Sequence, residues 1–233
     1  MVEQGGSRRF ANRAASEAKR ERTRAQLMDA AVRVFARRGV SDAAITDVTT
    51  EANVSNGTFY YHFKDKSELV DVVGHEIAAH LVSEVDLAMN GVASGIERVA
   101  LGTQYFLRLA SFDPEWGKLV VSALLDMREF RDRISAGIRK DVNIGVRQGA
   151  FDIPVNELLV SAMLGVVGMG LRAILNGGRP GLIEAQTSEM VLRLLGLEVA
   201  QAQRVVEQVK PLRRQLKVID RMNLDKASPG STD

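Results

Sequence analysis

Apolar residues first fall into helical spacing near Thr23. Leu27, Ala31, Val34 and Phe35 recur at i, i+4, i+7 and i+8, with Arg33, Arg37 and Arg38 mostly on other faces, and Gly39 closes the run as a left-handed cap. A short second helix is expected over Thr46–Ala52. It is followed by Asn53, one of the few non-glycine residues that tolerate a left-handed backbone. The third helix carries two start signals: Ser55 can accept from amide N–H groups at its N-terminus, and Val54 can pack on Phe59 as a hydrophobic staple. After Phe63, Asp65-Lys66-Ser67-Glu68 has the form of a capping box with Asp in place of Ser or Thr. It opens a long helix through Leu69, Val72, Val73, Ile77 and Leu81.

Beyond that helix no strand alternation is sustained. Helical stretches are punctuated by Gly91, Gly95, Asp113-Pro114, Gly149, Pro154, Gly177-Gly178 and Pro180-Gly181, and the last two long helices of the body are expected over 155–175 and 182–195. An amphipathic piece after Gly196 (Val199, Ala202, Val206, Val209) gives way at Pro211 to a basic piece with Leu212, Leu216 and Ile219. The pattern predicts an all-α fold, an N-terminal three-helix bundle with a helix-turn-helix followed by a larger helical domain. The longest nearly apolar run, Leu158 to Leu171, contains Ser161, Gly165, Gly168 and Gly170 and stops at Arg172. It falls short of the ~20 residues a bilayer span needs, so it reads as a buried helix and no membrane partner is expected.

Composition changes this picture little: 45% apolar and 26% charged residues are ordinary globular values. Without cysteine, a disulfide framework, a thiolate zinc site and a cysteine nucleophile are excluded, and a cytoplasmic location is the default. The polar, basic N-terminus has no apolar core of a secretory signal. The net charge is only +2, but before Thr46 a run of basic residues (Arg8, Arg9, Arg13, Lys19, Arg20, Arg22, Arg24, Arg33, Arg37, Arg38) outnumbers the acids. Walker, HExxH, Ser-His-Asp and dinucleotide-glycine patterns are absent. His75 and His80, five apart, do not share a helical face, so neither catalysis, a metal site nor a cofactor is expected.

The segment from Thr46 to His62 supplies the parts of a helix-turn-helix. Val48, Ala52, Val54, Phe59 and Phe63 can form its apolar inner side with Val34 and Phe35. Thr46, Ser55, Asn56, Gly57, Thr58, Tyr60, Tyr61 and His62 are then left for base edges and phosphates. Gly57 lets a backbone approach closely, and Lys66 stands at the next helix N-terminus, where amide N–H groups attract an anion. The partner this predicts is double-stranded DNA.

Leu27-Met28-Asp29-Ala30-Ala31 with Phe35 and Gly39, then Val54-Ser55-Asn56-Gly57-Thr58-Phe59-Tyr60-Tyr61-His62-Phe63-Lys64-Asp65-Lys66 with Leu69, resembles the DNA-binding domain of the tetracycline-repressor (TetR) family. Further on, Arg147-Gln148-Gly149-Ala150-Phe151 is similar to the family as well. Ala44 departs from the usual Thr or Ser opening the second helix, shifting capping to Thr46 or Asp42. Asn53 replaces a turn glycine, and Thr49 replaces a small Ala, which crowds the helix contact. The resemblance implies a homodimer whose heads read a palindromic operator and whose body binds a small effector. Taken with the pattern along the chain, the expected division is 1–22 flexible basic arm, 23–70 DNA-binding domain, 71–196 effector-binding and dimerisation domain, 197–226 helical extension and 227–233 disordered tail. The resemblance further implies a dimer face on the last two body helices, with Met163, Val167, Leu171, Met190 and Leu194 as candidates.

Tyr105, Phe106, Phe112, Trp116, Met127 and Phe130 gather most of the body's aromatic residues on two predicted helices. That is what a pocket for an apolar or amphipathic effector requires, although ordinary core accounts for each one singly. The expected function is a sequence-specific transcriptional regulator, a repressor released by its effector. A constitutive architectural DNA binder driven by the basic arm is the alternative.

Overall fold

The structure, a computed structural model, describes residues 5–210, with side chains from residue 17 onward; the basic piece from Pro211 and the tail expected over 227–233 lie outside the described residues. Ten helices and no strand occur among those residues: α1 Gly5–Arg38, α2 Ile45–Glu51, α3 Asn56–His62, α4 Lys66–Ala88, α5 Gly95–Ser111, α6 Pro114–Asp126, α7 Arg128–Arg147, α8 Glu157–Leu175, α9 Pro180–Leu194 and α10 Val199–Gln208. The all-α expectation holds. One boundary differs widely, because α1 begins at Gly5 rather than near Thr23. Its first turns are rich in Ala, Arg, Glu and Lys, which favour helix on their own. They lack an apolar stripe, so periodicity starts the helix too late.

Internal contacts divide the chain into two units, the first built from residues up to 83, 110–137 and 171–178, the second from 84–109, 138–170 and 179 onward. In the first unit the α1 stripe Leu27, Ala31, Val34 and Phe35 is buried, as are Val48 of α2, Phe59 of α3, Phe63, and Leu69 and Val73 of α4. Helix α6 lies along α1, and the Val40 N–H donates to Ser122 Oγ at 3.2 Å. Gly74 lets α4 come close to the α6–α7 junction, since a Cβ there would stand 3.2 Å from that of Met127.

In the second unit a buried Arg98 does several jobs. Its guanidinium donates to Asp141 Oδ1 at 2.6 Å and to the Met89 and Val92 carbonyls of the loop that follows α4. Burial raises the Asp141 carboxyl above its usual range, and Arg98 opposes that shift. The segment 147–151 acts locally on the same structure. Gln148 Oε1 accepts from the Gly95 N–H and its Nε2 donates to the Ala93 carbonyl, both at 2.8 Å, while Phe151 packs on Gly145. Ser188 Oγ donates to the Ala100 carbonyl and Arg108 pairs with buried Glu184 at 3.0 Å, tying α9 to α5.

Helix α8 is long and apolar enough, with a mean hydropathy of 2.1, to cross a membrane on length and composition alone. One face of it is core: Val160, Met163, Val167 and Leu171 are buried, and Gly170 sits against Thr187 of α9. The opposite face, Leu158, Ser161, Gly165 and Met169, is open.

Candidate nucleic-acid interface

The turn between α2 and α3 is a Schellman motif built on Asn53. That residue has φ +52°, its N–H donates to the Thr50 carbonyl, and the Val54 N–H donates to the Thr49 carbonyl at 2.9 Å. The left-handed residue read from the sequence is therefore the pivot of the motif. Helix α3 starts where Ser55 Oγ accepts from the Thr58 N–H at 3.1 Å, with the two hydroxyls 3.0 Å apart.

The start of α2 departs from expectation: neither Thr46 nor Asp42 caps it. Ala44 takes the N-cap position without an acceptor of its own, and Asp47 supplies the reciprocal half alone by accepting from the Ala44 N–H at 2.9 Å. Thr46 is exposed in the first turn.

Among the residues expected to face DNA, Ser55, Asn56 and Gly57 are exposed, Thr58 and His62 half-buried, and Tyr60 and Tyr61 are 59% and 69% exposed. These two aromatic rings on a seven-residue helix share the outward face with hydrogen-bonding groups. Gly57 has no internal cause. An added Cβ would meet only Ser55 Oγ at 3.7 Å, an ordinary contact, and the backbone is not left-handed there.

Burial lowers the His62 pKa, and the positive charges of Arg20 and Arg24 lower it further, which favours the neutral imidazole with one hydrogen to donate. Lys66, half-buried, donates from Nζ to the Ser41 carbonyl at 3.0 Å and so ties the α1–α2 loop to the α3–α4 junction. The capping box around it is half formed: the Glu68 N–H donates to Asp65 Oδ1 at 2.9 Å, but Glu68 Oε2 accepts from the Lys64 N–H rather than from that of Asp65.

The sequence did not single out the basic residues that stand closest to α3. The Arg20 guanidinium lies 5.7 Å from the Tyr61 ring centre and that of Arg24 lies 4.8 Å from the Phe63 ring, both within cation–π range. Arg20 falls in the stretch 1–22 expected as an arm and Arg24 just beyond it, and helix continuity through Gly5–Arg38 brings both to α3. By contrast, Arg33 and Arg37 pair with Glu51, and Arg38 with Asp47. These pairs pin α2 to α1 and lower the Glu51 pKa, chiefly through the hydrogen bonds from Arg33 and Arg37.

Of the candidate effector residues, Tyr105, Phe106, Trp116, Met127 and Phe130 are buried, whereas Phe112, in the α5–α6 turn, is 61% exposed. Tyr105 and Phe106 belong to one unit, Trp116, Met127 and Phe130 to the other. Two grooves described on the second unit have other linings: one of about 380 Å³ beside Asp86, Arg98 and Lys140, and one of about 530 Å³ beside Val166, Met190, Leu194 and Val199. Of the candidate dimer residues, Met163, Val167 and Leu171 are turned into the chain's own core, Leu194 is half-buried and Met190 is exposed. Among the described residues no cluster of His, Asp and Glu has metal-binding geometry.

Comparison with known proteins places these features in context. Residues 27–73 match the model of bacterial regulatory proteins of the tetR family, and residues 95–208 match that of the tetracyclin repressor-like C-terminal domain. The transcriptional regulator AcrR of Shigella flexneri is 34% identical over 67 residues, 29% of this chain and 31% of that protein. TtgR of Pseudomonas putida is 41% identical over 64 residues, 26% of this chain and 30% of that protein. Each match thus spans about a third of the curated relative. The crystal structure of RolR in complex with resorcinol has a TM-score of 0.65 at 23% identity, covering 82% of this chain and 96% of that one.

Proposed function

The chain belongs to the TetR family, and from that premise we propose that it is a transcription regulator that reads DNA with α3 and is released from it by a small molecule. The observation carrying the reading is the outward face of α3. It bears Asn56, a glycine with no packing reason, and two exposed tyrosines, flanked by Arg20 and Arg24. Tyr60 and Tyr61 hydroxyls donate to phosphate oxygens, while Asn56 and Thr58 meet base edges, which divides positioning from specificity. Thr46, Ser55, His62 and Lys66 join the positioning contacts, Lys66 only by giving up its Ser41 bond.

The working form in this reading is a homodimer on a palindromic operator, with half-sites about one helical turn, ~34 Å, apart. The open stripe of α8 (Leu158, Gly165, Met169) and the exposed Leu182 and Met190 of α9 are the apolar surface that a second copy covers. The cytoplasm, where chromosomal DNA is met, is its proposed place of action.

The effector is a small apolar or amphipathic molecule, and the buried Tyr105 and Phe106 of the second unit are the side chains offered to hold it. RolR was crystallised with resorcinol, which makes that molecule a first candidate to try here. A gel shift with DNA from upstream of the chain's own gene, repeated with candidate effectors, tests the proposal. A shifted band lost on adding one effector supports it, and no sequence-dependent retention of any duplex refutes it.

A further inference from the structure

Thr49 is a polar residue at an apolar address. It is 3% exposed, on the side of α2 that meets α3, where the sequence alone suggested only crowding. Its hydroxyl lies 2.8 Å from Asn56 Oδ1 and 3.3 Å from the Thr46 carbonyl one turn back. A threonine hydroxyl has one proton to give, and the shorter contact is the better hydrogen bond. The same residue also accepts from the Val54 N–H through its carbonyl, so it is anchored on both sides of the turn.

The consequence falls on Asn56, the first residue of α3 and exposed. A carboxamide has an accepting end and a donating end. With Oδ1 directed at α2, the end left for a ligand is Nδ2 with its two N–H groups. A freely turning Asn reads adenine with both ends, donating to N7 and accepting from N6. One held by its oxygen keeps a single lone pair and can no longer turn its carboxamide to lay both ends along adenine.

We propose that Thr49 is a specificity-determining positioning residue that turns the Asn56 carboxamide so that its N–H groups face the major groove, selecting guanine, whose O6 and N7 both accept, over adenine. The inference rests on the DNA-binding reading above and deepens it: it assigns the chemistry of one base contact and names the buried residue that sets it.

The test is a binding selection from a randomised duplex library with the full-length chain and three variants, sequenced to give base preference at each position. Wild type is expected to prefer guanine at one position that Asn56→Ala flattens. Thr49→Val, of similar shape but with no hydroxyl, should shift relative affinity at that position towards adenine by roughly tenfold. Thr49→Ser, which keeps the hydroxyl, should retain the guanine preference. A wild-type preference for adenine there, or a Thr49→Val profile identical to wild type while all proteins still bind, overturns the positioning role and leaves the regulator reading standing. Failure of wild type to select any sequence overturns both. Thermal melts of each variant separate a folding defect from a change in preference, since a misfolded head loses all sequences alike.

Discussion

Replacing Gly57 by alanine is expected to act in opposite directions on the fold and on DNA binding. Gly57 lies in the first turn of α3, where glycine costs about 0.5–1 kcal/mol relative to alanine because more backbone freedom is lost on folding. The added methyl carbon meets nothing nearer than Ser55 Oγ at 3.7 Å, so no steric penalty offsets the gain. For a chain of this size that corresponds to a rise in melting temperature of about 1–4 °C. If the position is glycine because a sugar-phosphate strand or base edge passes against the backbone, the same methyl group obstructs it. Duplex affinity should then fall by about fivefold or more, at the scale of one lost contact. Differential scanning calorimetry and a gel-shift titration at fixed salt measure the two effects on one preparation. A more stable variant that binds DNA as wild type does would show that nothing approaches Gly57, and the orientation of α3 on DNA would have to be redrawn. A lower melting temperature would refute the packing argument instead.

Three further outcomes follow from particular contacts. Because the folded state holds the His62 pKa below its usual 6.5, the neutral form stabilises the fold at pH above 6.5 and that contribution is lost as pH falls from 6.5 through the lowered value. Urea melts at pH 7 and below should show a decline that His62→Gln reduces. Gly95→Ala should destabilise the second unit by at least ~1–3 kcal/mol, since a Cβ there would stand 2.2 Å from the Gly145 amide nitrogen, and denaturant midpoints check it. Met169→Asp on the open face of α8 should shift sedimentation towards monomer, whereas unchanged association would place the homodimer contact elsewhere.

Much of the reading head was legible from sequence because its determinants are local. A left-handed Asn53, the Ser55 cap, the Asp65–Glu68 box and the α1 stripe are set by residues within four or five positions of each other. Such short-range hydrogen bonds and periodicities do not wait on the rest of the fold. The start of α1 was missed for the complementary reason: a polar helix of good intrinsic formers leaves no periodic mark.

What the chain by itself could not decide is which of several equivalent faces meets which neighbour. Helix α8 is apolar nearly all round, so its composition favours no face. Packing against the body chose Met163, Val167 and Leu171 for the interior and left Leu158, Gly165 and Met169 outside. Thr49 looked like a crowding residue until α3 was placed across from it, and Lys66 looked free until Ser41 came within reach. Arg98 and Asp141 lie 43 positions apart, and only the packing of α5 on α7 brings their charges together out of water. Nearest-neighbour chemistry thus fixes the caps and turns, whereas the partner of a buried or amphipathic side chain is settled by whichever surface the folded chain lays against it.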